Sequence, residues 1–135
     1  MSTTGRRAWV VVVAVALAAG CTGPSGPAST ATGPTGKQAL DDLAALLKQV
    51  AADGKKPPAR AADLEPYDAA FLSASLGISR KEIVYRWGAG LTGGPAVVAH
   101  ETAVPEKGGW VLLQDGTVKE MTAADFAAAP KAGKS

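Results

Sequence analysis

The chain has 135 residues, with 14 basic and 12 acidic side chains, one cysteine, one histidine and a hydrophobic fraction of 47%. This length fits one domain better than a multidomain assembly, and a mean hydropathy of only +0.09 argues against a polytopic membrane protein. One cysteine cannot form an internal disulfide, and one histidine cannot build a histidine-based metal cluster.

Residues 1–20 have the pattern of a secretory signal peptide. The Arg6-Arg7 pair precedes an uncharged apolar stretch over residues 8–19. This stretch is shorter than the about 20 apolar residues that a membrane-spanning helix needs, so we expect a cleaved targeting segment. A twin-arginine export motif is the alternative reading of the Arg6-Arg7 pair, although the flanking residues fit that motif poorly.

The apolar stretch ends in Leu17-Ala18-Ala19-Gly20-Cys21, which resembles the lipobox of bacterial lipoproteins. The resemblance implies cleavage between Gly20 and Cys21 and a lipid on the Cys21 thiol, which would anchor the mature protein to a membrane. A buried, inert thiol is the alternative, but the residues after Cys21 offer no core for it to enter. We therefore expect an exported protein, lipid-anchored on the periplasmic side or the outer surface of the cell envelope.

The lipidated cysteine and a flexible linker are predicted for residues 21–36, because residues 22–36 are only Thr, Gly, Pro, Ser and Ala. Removing Arg6 and Arg7 with the signal leaves 12 basic and 12 acidic side chains. A neutral chain without clustered basic residues is not expected to bind nucleic acid. A single domain is predicted for residues 37–129, followed by a disordered tail at 130–135.

The domain is predicted to open with an amphipathic helix. Thr35 and Gln38 have capping-box spacing, and apolar residues recur after them at helical spacing as far as Val50. Gly54 and the following prolines predict the end of this helix. Short helical turns are predicted at residues 61–64 and 68–76.

From Lys81 the apolar residues alternate, which predicts strands. Strands are expected around residues 83–87, 96–103, 109–114 and 117–121, with a hairpin turn at Asp115-Gly116. Thr122 begins a second capping signature, which predicts a short terminal helix to about Ala128. The predicted fold is therefore α+β: one N-terminal helix packed on a three- to four-stranded antiparallel meander, with a short C-terminal helix.

Two segments resemble type IV pilin-like and pseudopilin-like proteins, especially those of the planctomycete type. The first is a helix that runs into an Asp-Gly-x-x-Pro break at residues 53–57, and the second is an apolar run ending in Asp-Gly at residues 110–116. Pro105 stands where that group often has a histidine, and the apolar filament-packing helix is replaced by Cys21 and the linker. The resemblance implies a non-catalytic envelope component with a pilin-like head.

Candidate sites are few. Residues 88–93 satisfy G-x-G-x-x-G, but no helix is predicted after them to receive a pyrophosphate, so we expect a loop. His100 and Glu101 are adjacent strand residues that point to opposite faces, so we expect a surface or hydrogen-bonded histidine. No spacing of acidic residues, cysteine or histidine indicates a metal or cofactor site.

Tyr85, Trp87 and Trp110 either fill the core under the helix or line a surface for a partner. The leading hypothesis is a non-catalytic module that binds an envelope protein. The alternative is a module that binds a small ligand or a peptidoglycan fragment near these aromatic residues. A hydrolase that uses His100 is a further alternative.

Overall fold

A computed structural model describes residues 35–134, and these form an α+β domain. The predicted fold class is confirmed. In chain order the helices and strands are α1 Gly36–Ala52, α2 Leu72–Ser79, β1 Ile83–Tyr85, β2 Val97–Glu101, α3 Val104–Lys107, β3 Gly109–Leu113, β4 Val118–Met121 and α4 Ala123–Ala128. The signal peptide, Cys21 and the linker up to residue 34 lie outside the described residues, so those predictions stay predictions.

Helix α1 begins and ends as the sequence predicts. The backbone N–H of Gln38 donates to the Thr35 hydroxyl at 3.3 Å, which caps the first turn. Gly36, the last residue of the predicted linker, is already the first residue of the helix. The helix ends before Gly54, which adopts a φ of +67° that favours glycine.

The segment between α1 and the sheet contains two single 3-10 turns, Ala61–Asp63 and Glu65–Tyr67, and then α2. Helix α2 starts at Leu72, later than the predicted turn at residue 68. It lies close to α1, because a Cβ added to Gly77 would stand only 2.9 Å from the Cβ of Ala39. This close approach explains why a glycine occurs inside a helix.

The four strands form one antiparallel sheet in the order β1-β2-β3-β4. The predicted turn at Asp115-Gly116 joins the last two strands. The N–H of Thr117 donates to the Asp115 carboxylate at 2.8 Å, and Gly116 has a φ of +86°. The register between β2 and β3 shifts between Val97 and Ala99, which is a bulge in β2.

Apolar side chains pack on both faces of the sheet. Helices α1 and α2 cover one face, over strand residues that include Ile83, Ala99 and Leu112. On the other face, Phe126 of α4 packs with a smaller cluster that includes Val97 and Val111. A helix was predicted on one face of the sheet only, so the second, smaller core is visible only in the tertiary structure.

Two local expectations were wrong. Helix α3 occurs in the β2–β3 connection, where no helix was predicted, and it ends at Gly108 with a φ of +74°. The predicted disordered tail is ordered as far as residue 134. The N–H of Val97 donates to the carbonyl of Pro130 at 2.8 Å, and the N–H of Ala132 donates to the carbonyl of Val97 at 2.9 Å. Val97 of β2 accepts this segment because β1 does not extend that far along it.

Within residues 35–134, no helix is both long enough and apolar enough to cross a membrane.

Candidate functional site

Strand β1 lies at one edge of the sheet, and half of its backbone polar groups point away from β2. The N–H of Arg86 donates to the carbonyl of Val98 in the neighbouring segment at 2.9 Å. Because the backbone groups of successive residues alternate between the two sides of a strand, the N–H and C=O of Val84 also point toward β2. The corresponding groups of Ile83 and Tyr85 therefore point out of the sheet edge, where a further strand can pair with them.

A mainly apolar groove of about 320 Å³ follows this edge. We name it the β1-edge groove and define it by the residues that line it: Ile78, Lys81, Ile83, Val84, Tyr85, Trp87 and Thr102. Three consecutive strand residues line it, so the groove gives access to the β1 backbone itself. Two of the three aromatic residues that were predicted either to fill the core or to line a partner surface, Tyr85 and Trp87, lie here, and Tyr85 also belongs to the main core.

Tyr85 is the buried anchor of the groove. Its side chain is 4% exposed, and its hydroxyl donates to the carbonyl of Ala89 at 2.5 Å. Burial raises the pKa of the Tyr85 phenol above its ordinary value of 10.0, so the hydroxyl stays protonated and remains a donor. The ring of Trp87 meets the Tyr85 ring edge to face, with centroids 5.0 Å apart. Tyr85 therefore positions the half-buried Trp87 at the end of the groove.

Val84 is the one exposed apolar residue among those that line the groove, and it was not predicted as a site residue. Its alternation with Ile83 and Tyr85 predicts that it points away from the main core. It remains 40% exposed, because α4 covers the second face of the sheet over the middle strands. An apolar residue on the polar side of a predicted strand was the available signal. The edge position that makes it notable cannot be read from the sequence.

Charged side chains flank Val84 on the same face of the strand. Glu82 is exposed and Arg86 is half-buried, and both alternate with Val84. The Nε of Arg86 donates to the carbonyl of Ala132 at 2.5 Å. The ordered C-terminal segment thus holds the guanidinium beside the edge.

Trp110, the third aromatic residue considered for the core or for a partner surface, lies elsewhere. Its backbone N–H donates to the Glu101 carboxylate at 2.7 Å, and the Nζ of Lys37 lies 5.4 Å from the centre of its ring. It is half-buried against the α1 side of the core. The β1-edge groove does not include it, so the predicted three-residue surface is divided between two places.

His100 is hydrogen-bonded and buried. Its Nδ1 lies 2.7 Å from the carbonyl oxygen of Glu101, and its ring meets that of Phe126 at 4.6 Å between centroids. Desolvation lowers the pKa of His100, and the nearby charges of Arg86 and Lys131 lower it further, against the opposing effect of the hydrogen bond. The Glu101 carboxylate instead contacts Trp110 on the α1 side. The two side chains thus lie on opposite faces of the sheet.

The Asp-Gly-x-x-Pro break forms a second apolar depression, of about 420 Å³, beside the C-terminal end of α1. The polar contacts around this depression hold the chain in place where α1 ends. Asp53 accepts hydrogen bonds from Tyr67 and Gln49, both at 2.8 Å, and these lower the pKa of its carboxyl. The Nζ of Lys55 lies 5.2 Å from the centre of the Tyr67 ring.

The glycine-rich segment and the potential metal-ligating side chains form no recognisable ligand site within residues 35–134. The glycine-rich segment at residues 88–93 is a loop, as predicted, and β2 follows it rather than a helix. Over residues 35–134, no group of three or more His, Cys, Asp or Glu side chains could hold a metal ion.

The chain matches no protein-family model, no curated protein and no solved structure. The resemblance to pilin-like heads therefore stays a prediction from the sequence.

Proposed function

We propose that this chain is a lipid-anchored protein of a bacterial cell envelope, and that its α+β head is a non-catalytic, pilin-like module that binds a protein partner through the β1-edge groove. The lipobox at residues 17–21 and the linker that follows support the anchor. The observation that carries the binding role is the outer edge of β1, with which no other strand pairs among residues 35–134. Extended segments commonly bind proteins by adding a strand to such an edge.

The chemistry of the groove suits a peptide partner. The outward N–H and C=O groups of Ile83 and Tyr85 would pair with a partner backbone, and Val84 and Trp87 offer apolar contact beside them. The packing of His100 against Phe126 supports a structural role for the histidine. Binding, rather than catalysis, is therefore the proposed role.

The anchor is tested by metabolic labelling with a palmitate analogue in cells that express the wild-type chain or Cys21→Ala. We expect label in the wild-type product and none in the variant. Equal labelling of both would end the lipoprotein proposal.

The binding surface is tested by placing a photo-crosslinking amino acid at position 84 and irradiating intact cells. The matched control is position 72, because Leu72 is an apolar residue with a larger exposed fraction, 59% against 40%, and lies outside the groove. We expect protein adducts several-fold more abundant from position 84. Adducts of equal abundance from both positions would contradict the assignment of the groove.

A small ligand or peptidoglycan fragment is the second candidate occupant, favoured by the aromatic pair in a groove of about 320 Å³. Calorimetric titration of the chain with soluble peptidoglycan fragments tests it. Heat of binding that is lost in Trp87→Ala and kept in Trp110→Ala would favour the ligand over a protein partner.

A further inference from the structure

The β1-edge groove presents two residues whose backbone groups need a partner strand, and this limits how any strand can bind. Ile83 and Tyr85 each direct one N–H and one C=O outward. An antiparallel partner satisfies all four groups only if its own two outward residues stand opposite them. The partner must therefore present two such residues separated by a single inward one.

Strand β1 itself meets this requirement. We infer that two copies of this chain pair edge to edge through β1, antiparallel, about a two-fold axis that passes beside Val84. This inference names the partner of the β1-edge groove and so rests on the proposed function. In this register Ile83 of one copy stands opposite Tyr85 of the other, and the reverse, which gives four backbone hydrogen bonds. If the axis passes beside Ile83 or Tyr85 instead, that residue stands opposite its own copy, and only two backbone hydrogen bonds form.

The side chains favour the same register. With the axis at Val84, Glu82 of each copy stands opposite Arg86 of the other, on the face that both share with Val84. Opposite charges directly across two strands stabilise their pairing, and like charges disfavour it. An axis at Ile83 would instead set Arg80 opposite Arg86. The same single register therefore satisfies both the hydrogen bonds and the charges.

The surroundings of Val84 and Arg86 are consistent with this pairing. Val84 is 40% exposed, and its pairing with Val84 of the second copy would remove apolar surface from water. The carbonyl of Ala132 already holds the Nε of Arg86, so little freedom is lost when the guanidinium meets a carboxylate. A two-fold pairing occupies the edge in both copies and stops at two chains.

The first test uses Val84→Cys in a Cys21→Ala background, so that the chain carries a single thiol. Directly opposed residues that do not share hydrogen bonds have Cβ atoms roughly 4.5 Å apart, within reach of a disulfide. Diamide, which crosses membranes, is added to cells that express the full chain, so the result does not depend on export. The matched control is Lys119→Cys, exposed on the same sheet face but on the opposite edge strand.

We expect several-fold more disulfide-linked dimer from Val84→Cys than from Lys119→Cys. Equal yields would overturn the pairing. The proposed function fails separately, when Cys21 takes no lipid and position 84 gives no protein adduct. Adducts of position 84 with other proteins, together with no excess of disulfide, would keep the proposed function and refute the second copy as the partner.

The second test reverses charges in the Val84→Cys chain. Glu82→Arg and Arg86→Glu should each reduce the dimer to the control level, because each sets like charges across the axis. Coexpressed with different tags, the two variants should form a mixed disulfide dimer, since opposite charges then face each other at both ends. Absence of the mixed dimer between folded chains would refute the register. If circular dichroism shows that Arg86→Glu does not fold, the test rests on Glu82→Arg alone. An unchanged yield of disulfide-linked dimer from Glu82→Arg would then overturn the proposed register.

Discussion

Replacing Phe126 with alanine tests whether α4 and the second core are integral to the fold. The Phe126 side chain is 8% exposed and packs with Val97 and Val111. Truncation of a buried phenylalanine to alanine costs about 3–5 kcal/mol, and the lower end applies here because the short helix α4 can settle into the space. Part of that loss, about 0.5–1.5 kcal/mol, comes from the edge-to-face contact with His100.

A loss of about 3 kcal/mol is a large share of the 5–15 kcal/mol that stabilises a typical domain. For a domain of this size it lowers the melting temperature by about 12–24 °C. Thermal unfolding followed by circular dichroism measures this shift. The control is Thr122→Ala, which removes the hydroxyl that accepts from the N–H of Asp125 at 3.1 Å and costs about 1 kcal/mol without touching the core.

Phe126→Ala should also change the pKa of His100, which is independent of the loss of stability. His100 is the only histidine of the chain, so its proton resonance in NMR is assigned without ambiguity. Loss of the Phe126 ring exposes His100, and its pKa should rise toward the ordinary value of 6.5. If Phe126→Ala destabilises the protein no more than Thr122→Ala does, and the pKa of His100 stays unchanged, the assignment of α4 to a second core is wrong.

Three further predictions follow from single contacts. Because the folded-state pKa of His100 lies below 6.5, the unfolded chain takes up a proton first as the pH falls. The contribution of His100 to the free energy of unfolding is therefore complete above about pH 6.5 and is lost progressively as the pH falls below that value. Urea titrations should give a lower free energy of unfolding at pH 5.5 than at pH 7.5, and the difference should be smaller in His100→Gln. Thr35→Ala removes the acceptor of the Gln38 N–H and should cost about 0.5–2 kcal/mol in the same assay; no loss would mean that the cap contributes nothing. Tyr85→Phe leaves the carbonyl of Ala89 without its 2.5 Å donor and should cost about 1–3 kcal/mol, and a fully stable variant would show that water replaces the hydroxyl.

Several elements were predictable because their signals are local. Thr35 and Thr122 each cap a helix through a contact three residues away. The Asp115-Gly116 turn depends only on its own backbone and on the Asp115 side chain. The alternation from residue 83 onward identified the strands. Each of these features is determined by residues within about one turn of chain, so the sequence was sufficient.

Other features depend on contacts between distant segments. The C-terminal segment after Pro130 carries few apolar residues and reads as a tail, yet Val97 of β2 binds it through the backbone. Backbone pairing of this kind leaves no mark in the sequence of either segment. The three aromatic residues were grouped by type and by their position on strands, but Trp110 lies under Lys37 rather than beside Trp87. Trp110 is separated from Trp87 because β2 lies between β1 and β3 in the sheet.

The sequence by itself determined the boundaries of α1 and α4, the strand periodicity, the α+β class and the expectation of a lipid anchor at Cys21, because each rests on a short run of residues. Only the tertiary structure decided that β1 is an edge strand, that Val84 stays exposed beside Glu82 and Arg86, and that α4 buries His100 on the second face. The physical reason is that exposure and edge position depend on which elements pack against a residue, and that is fixed only when the whole chain has folded.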